Sequence, residues 1–413
     1  MNILFINAHW NNRGDEAAIR AMLDEIRRIV PDAELTIQIL AKDKVYQFPY
    51  GVDEVKLISK FPQKDNLLEL PLLFLTNFKM YYMANTKEYM NALKKADIVV
   101  HAPGGPSIGE IYKKFELSYW IRLLAVIAYK KPLFFYAPSM GPFTNSIRNI
   151  IRRWILNKAI FICTREEISK EYASILALNK EIIVTLDSAV QNNIDIVFNE
   201  EKLQEYTELD RFLADSERVI GITITDLQWN PKYKENILLK ENIENTFVDF
   251  LRYLVLYGYK VIFIPQLFGD QNDYNYMKRI KEKVDSDNIF VMSDNYDCYF
   301  QQFVISKIKA VVGMRYHSNI FSAKMKTPFV SVSYEHKMAG FMKNACLDQY
   351  CIDVNDLNFD KLLTAFNLLE KNYVAYKFHL DGVSQLIKSK AAKSTEYLLN
   401  TYSDSIEMVS RVR

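Results

Sequence analysis

The chain has 413 residues, too long for one ordinary core and suited to two domains of about 200 residues each. Its 49% hydrophobic and 25% charged residues are those of a folded globular protein. A net charge of +2 argues against a general nucleic-acid footprint, in which a basic stripe supplies most of the affinity.

Residues 1–8 have neither a basic leader nor a cleavage site and read as a first strand. Short apolar runs rich in Ile, Val and Phe predict strands at 3–8, 35–40, 55–58, 98–101, 133–137, 159–163 and 182–185. Helical spacing, as at 15–29 and 119–129, lies between them. The second half repeats the pattern, with strands at 219–223, 260–265, 289–292, 310–313 and 329–332. Continuous apolar strands alternating with helices mark parallel βαβ units with both sheet faces covered. The fold class is therefore α/β: two Rossmann-like, doubly wound domains, the first over 1–200 and the second over 201–380. The join falls in the polar segment 192–217. A C-terminal helix over 381–413 either crosses back to the first domain or simply ends the chain.

The segment 67–83 is apolar but carries Glu69, Pro71 and Lys79, short of the ~20 apolar residues a membrane span needs. A buried helix or partner surface is the preferred reading. The alternative is peripheral contact with a bilayer through Leu72, Leu73, Phe74, Phe78, Tyr81 and Tyr82. The basic cluster Arg148, Arg152, Arg153 and Lys158 reads as a solvated helix face. Cys163, Cys298, Cys346 and Cys351 show no zinc spacing and no disulfide framework, which suits a reducing cytoplasm.

In open parallel sheets, ligands bind beyond the carboxyl ends of the strands. Polar clusters follow nearly every expected strand here, so a cleft between the two domains is expected. The sharpest is Gly313-Met314-Arg315-Tyr316-His317-Ser318. With Arg315 and His317 two apart in extended backbone, both side chains would point to one side. Ser318 would cap a helix beginning near Asn319, whose free N–H groups favour an anion. Arg315 offers a planar fork for a carboxylate or phosphate, and His317 can exchange a proton near neutral pH. A structural Arg–acid bridge and a structural histidine are the plainer alternatives.

Other strand-end candidates are Gln266, Arg165 and Lys337. Arg165 would either bind an anion or pair with Glu166, Glu167 or Asp187. The turn Asn11-Asn12-Arg13-Gly14-Asp15 lacks the glycine-rich dinucleotide fingerprint, which disfavours an NAD site. Pro103-Gly104-Gly105-Pro106-Ser107 reads as a flexible loop able to bring backbone amides to a phosphate or sugar. No His/Asp/Glu set has metal-ligand spacing, and no metal is expected.

Taken in order, these segments resemble the polysaccharide pyruvyl transferase family. The resemblance runs from Asn2 to Ile352 and is carried by Asn12-Arg13-Gly14-Asp15-Glu16, Pro103-Gly104-Gly105 and Ser139-Met140-Gly141-Pro142-Phe143. It continues through Thr164-Arg165-Glu166-Glu167, Asp187-Ser188-Ala189, Gly313–Ser318 and Tyr334-Glu335-His336-Lys337. Two departures are Pro106, where the family has a third glycine, and Tyr316, where an aliphatic residue is usual. The resemblance implies GT-B-like architecture and transfer of pyruvate from phosphoenolpyruvate to two hydroxyls of a sugar. A cyclic ketal forms, phosphate leaves, and no cofactor is needed. It implies donor binding by Arg315, His317, Ser318, Arg165, Lys337 and Gln266, with His317 and Arg315 catalytic. Asn11, Asn12, Gly14, Asp15, Gly104, Gly105 and Ser107 would face the acceptor, a sugar or lipid-linked oligosaccharide. The implied site of action is the cytoplasm, with the inner membrane face as a place of peripheral contact. A nucleotide-sugar glycosyltransferase and a non-catalytic glycan-binding protein are the competing readings.

Overall fold

The computed structural model describes residues 1–10, 12–40, 48–110, 113–178, 180–230, 232–268 and 272–411, with backbone alone at 106–107, 113–115, 216 and 402–411. The chain forms two compact units. The first comprises Met1–Asn11, Asp15–Asn192 and Ser389–Arg413, the second Asn12–Gly14 and Asn193–Lys388.

The first unit is built on β1 (Asn2–His9), whose six central residues are all buried. That is the signature of a central parallel strand covered on both faces. Its Leu4 and Ile6 enter one core, Ile3 and Phe5 the other. After β1 comes α1 (Arg13–Ile29), with Asp15 and Glu16 in its first turn and Arg27 and Arg28 in its last, each sign matching the helix dipole. Then follow β2 (Glu34–Leu40), β3 (Lys56–Ile58), α2 (Leu70–Leu75), α3 (Ala84–Lys95) and β4 (Ile98–His101). The unit continues with β5 (Gly104–Ile108), α4 (Lys113–Ala128), β6 (Leu133–Phe135), β7 (Pro138–Met140), α5 (Ser146–Lys158), β8 (Phe161–Thr164), α6 (Glu167–Leu176) and β9 (Ile182–Val184). Seven strands pair in parallel in the order β3-β2-β1-β4-β6-β8-β9. Residues of α3 to α6 pack on one face and α1 on the other.

Three local readings change. The loop expected at 103–109 is the strand β5, which pairs in parallel with β7. The segments leaving β4 and β6 run side by side, and the Gly141 amide donates to the Ile108 carbonyl at 2.9 Å. In 67–83, Leu73 and Phe78 are core residues, while Leu67, Leu68, Phe74 and Leu75 are exposed. Buried Glu69 organises this segment by accepting from the amides of Tyr82 and Met83. On α5, Arg152 is fully buried rather than solvated, because Glu110 and Glu116 stand behind it as partners at 2.8 Å.

The second unit runs through α7 (Ile196–Glu205), α8 (Thr207–Leu213), β10 (Val219–Thr223), α9 (Ile237–Leu256), β11 (Lys260–Phe263), α10 (Asp273–Val284), β12 (Ile289–Val291) and α11 (Cys298–Lys307). It continues with β13 (Ala310–Gly313), α12 (Tyr316–Met325), β14 (Phe329–Ser333), α13 (His336–Asn344), β15 (Cys351–Asp353), α14 (Phe359–Lys371) and α15 (Tyr373–Arg411). Asn and Asp caps start most of these helices, as where Asn272 accepts from the Asn275 amide and Asp297 from those of Tyr299 and Phe300. The sheet order is β12-β11-β10-β13-β14-β15, again all parallel. The long helix α15 begins in this unit and ends in the first. There Ser394 shares a 2.7 Å hydrogen bond with Thr185, Thr395 bonds Tyr136, and Leu398 enters the core.

Candidate active site

Both sheets have the doubly wound order in which strands run outward from a central pair. The reversal falls between β1 and β4 in the first unit and between β10 and β13 in the second. Crevices for ligands open beyond the carboxyl ends of such pairs.

At the second crevice, β13 ends at Gly313 and α12 starts at Tyr316, three residues before the expected start, with Arg315 as its N-cap. A Cβ on Gly313 would overlap the Asn319 amide oxygen and crowd the Ser318 hydroxyl, so glycine is what lets α12 fold back on the strand end. Ser318 is not the cap. Its hydroxyl donates to the Arg315 carbonyl at 2.7 Å and meets the Thr223 hydroxyl at 2.7 Å, which locks the turn. Because the helix begins early, Arg315 and His317 do not lie side by side on extended backbone.

Arg315 is buried and turned toward Asp273 on α10. Its Nε donates to Asp273 Oδ2 at 3.0 Å, and its Nη2 bonds both Asp273 Oδ1 and the Thr225 hydroxyl. The guanidinium also stacks 5.2 Å from the Trp229 ring centroid. Burial alone would lower its pKa, but the Asp273 carboxylate and Tyr334 together outweigh burial and raise it. Asp273 in turn accepts from the amides of Gln266 and Leu267 at 3.1 and 3.0 Å. Gln266 donates its side-chain amide to Gln301 at 2.9 Å, leaving its own buried oxygen without a hydrogen-bond partner.

His317 lies against residue 14. A methyl group on Gly14 would overlap the imidazole at Nδ1, Cγ and Cε1, so only glycine fits there. Asn12–Gly14 belong to the second unit and are bonded within it. Asn12 bridges Leu267, the Arg13 amide donates to Gln266 O at 2.9 Å, and Arg13 Nη2 donates to Asp294 O at 2.6 Å. Arg13 also lies 5.0 Å over the Phe268 ring. Asn12 and Gly14, expected with the acceptor, are thus placed beside His317 and Gln266, which were expected with the donor. Lys337 pairs with Glu335 at 2.7 Å and sits 5.5 Å over Tyr316, next to the start of α12.

In the first unit, Asp15 is buried and lies 3.1 Å from where a Cβ on Gly104 would stand, and Gly104 has φ +129. Neighbouring Gly105 lies on β5. At the end of β1, His9 packs edge-on to Tyr119 at 5.5 Å, and Arg122 lies 5.3 Å over the same ring. Burial lowers the His9 pKa, partly offset by Asp15, and lowers that of Arg122 to about 10. Arg165 belongs to this unit. It donates to Ser139 at 2.7 Å and pairs with Asp187 at 2.6 Å in a buried network. Asn11 lies outside the described residues, as does the side chain of Ser107.

Thr225 and Trp229 belong to a strand-end cluster visible in the sequence, though without a role of their own there, whereas Arg13 and Asp273 carry no sequence signal for their part in the site. Arg13 sat inside a quoted motif but read as part of a turn. Asp273 lies 42 residues from Arg315 with no local signal linking them. Among the described residues no cluster of His, Cys, Asp or Glu could hold a metal ion, and no helix is long and apolar enough to cross a membrane.

The model of the family described as polysaccharide pyruvyl transferase matches residues 12–336. The amylovoran biosynthesis protein AmsJ of Erwinia amylovora is 22% identical over 407 residues, covering 90% of this chain and 93% of that protein. Among solved structures, a UDP-GlcNAc 2-epimerase from Neisseria meningitidis superposes with TM-score 0.58 at 15% identity, covering 97% of this chain and 100% of that one. UGT73P12 of Glycyrrhiza uralensis gives 0.52 at 10% identity, covering 99% and 91%. These likenesses establish a GT-B fold of two Rossmann-like units. With the family model spanning both crevices, the chain belongs to the polysaccharide pyruvyl transferase family.

Proposed function

We propose that this enzyme moves a pyruvyl group from phosphoenolpyruvate to two hydroxyls of a sugar in a cell-surface glycan or its precursor, acting in the cytoplasm without a further cofactor. The observation that carries the reading is the His317 imidazole held against Gly14 at the N-terminus of α12. Free N–H groups at that terminus suit the anionic donor. Arg315, fixed in orientation by Asp273, and Lys337 beside Tyr316 supply positive charge around it. Gln266, Ser318 and Arg13 complete the donor side. Asp15 and the Gly104–Gly105 backbone meet the acceptor.

His317 protonates the methylene carbon of the enol, and the central carbon gains cationic character. One sugar hydroxyl adds there, returning its proton to the imidazole. The second hydroxyl then displaces phosphate, which carries away the last proton, so the sum is diol plus phosphoenolpyruvate to ketal plus phosphate. Family membership supports this chemistry.

The test is incubation of purified enzyme with phosphoenolpyruvate and candidate glycosides or lipid-linked sugars. Phosphate release is followed together with the product mass. The expected result is phosphate in step with ketal formation. Turnover of a nucleotide sugar with phosphoenolpyruvate untouched would overturn the proposal.

A further inference from the structure

Helix α5 is inside out. Its inner side carries Arg152, fully buried and bonded to Glu110 and Glu116, beside Ile155 and Leu156. Its outer side carries Ile147, Ile150, Ile151 and Trp154, which are 77%, 70%, 36% and 46% exposed. These four stand at i, i+3, i+4 and i+7, one continuous stripe along two turns. Lys158 extends the stripe by a further turn, Arg153 flanks it, and both are exposed. The helix has no acidic residue. A solvated helix would reverse this arrangement, with arginine out and isoleucine in.

We infer that α5 is a docking surface for an anionic lipid bilayer, entering the headgroup region with its stripe down. Three features favour lipid over protein. Tryptophan beside aliphatic side chains suits the membrane interface, where an amphipathic ring finds both an apolar and a wet side. Lysine and arginine at the stripe's end and flank match anionic headgroups and can extend toward them. A two-fold dimer through α5 would instead set each copy's positive helix against its like. The apolar stripe supplies depth and the basic residues supply selectivity. The inference stands apart from the transfer chemistry because its test reads binding alone.

The full-length protein is sedimented with vesicles of phosphatidylcholine, with or without phosphatidylglycerol, while tryptophan emission is recorded. Trp154 is the natural reporter, since it is exposed while Trp10 and Trp120 are buried and Trp229 is half-buried beneath Arg315. The expected result is binding to the phosphatidylglycerol vesicles with a blue shift, weakened by salt. Replacing Ile150→Ser together with Trp154→Ser should abolish it. Arg153→Glu with Lys158→Glu should weaken it by at least about tenfold, given about 1 kcal/mol per basic residue near such a surface. All four are surface changes, and an unchanged melting temperature checks that the fold is intact. Failure to bind either vesicle, or full binding by the Ile150→Ser, Trp154→Ser protein, would overturn the inference. So would a stable dimer dissolved by the same pair of substitutions, which would assign the stripe to a second copy.

Discussion

The two crevices arise from the same strand order, yet their buried arginines are treated in opposite ways. Arg315 in the second unit has a carboxylate in bidentate contact, and its pKa is raised although burial works against it. Arg122 in the first unit donates instead to the neutral oxygens of Asn7 and Phe61, and burial brings it down to about 10. Arg165, also in the first unit, is paired with Asp187, but its other contacts, Ser139 and Glu166, tie it into the unit's own framework. A strand-end arginine is therefore not by itself an anion site. What surrounds it decides whether its charge is fixed, weakened or committed to structure. On this reading the second crevice holds the reacting groups, while the polar groups of the first chiefly hold the scaffold.

The largest expected effect divides the two crevices by turnover. His317→Ala should lower kcat by about 10²–10⁴-fold, the usual contribution of a positioned acid or base, with little change in melting temperature. Retained turnover would remove the proton-transfer role from the second crevice. The next effect divides them by stability. Arg165→Met strands the buried Asp187 carboxylate and should cost about 3–5 kcal/mol, measured by urea unfolding. If the variant unfolds normally but needs far more phosphoenolpyruvate, Arg165 is a donor ligand and the contrast between crevices collapses.

The smallest effect sharpens the picture of the first unit. Burial lowers the His101 pKa from 6.5 to about 3, so the folded state holds the ring neutral while the unfolded chain takes a proton near 6.5. Its contribution to stability is therefore complete above pH 6.5 and is lost as pH falls toward 3. His101→Phe keeps a ring to stack on Phe135 and has no proton to take up. Melting temperatures recorded across this range should fall less steeply for the variant than for the parent.

Much of this was legible in the sequence because parallel strands buried on both faces are continuous apolar runs. The central strands at 98–101, 219–223 and 310–313 were placed at their observed bounds for that reason. β5 and β7 escaped because Gly and Pro disguise a short strand pair that depends on two loops lying alongside each other. β15, a three-residue strand after a 3-10 turn, is too short for any period to emerge. At the site, Arg315 and His317 stood out as residue types, but their orientations did not. Ser318 looked like a helix cap because serine commonly is one; here its proton goes to the Arg315 carbonyl instead. Pairing of Arg315 with Asp273, and of His317 with Gly14, depends on chain segments brought together only by the fold.

The course of α15 also sets the order in which the protein can be completed during synthesis. The first unit's sheet is made early, but Ser394, Thr395 and Leu398, which bond and pack against it, follow much later, Ser394 209 residues after Thr185 and Thr395 259 residues after Tyr136. The second unit needs nothing beyond Lys388. A growing chain therefore finishes its later half first, and the earlier half waits, with part of its core uncovered, until those turns of α15 have emerged.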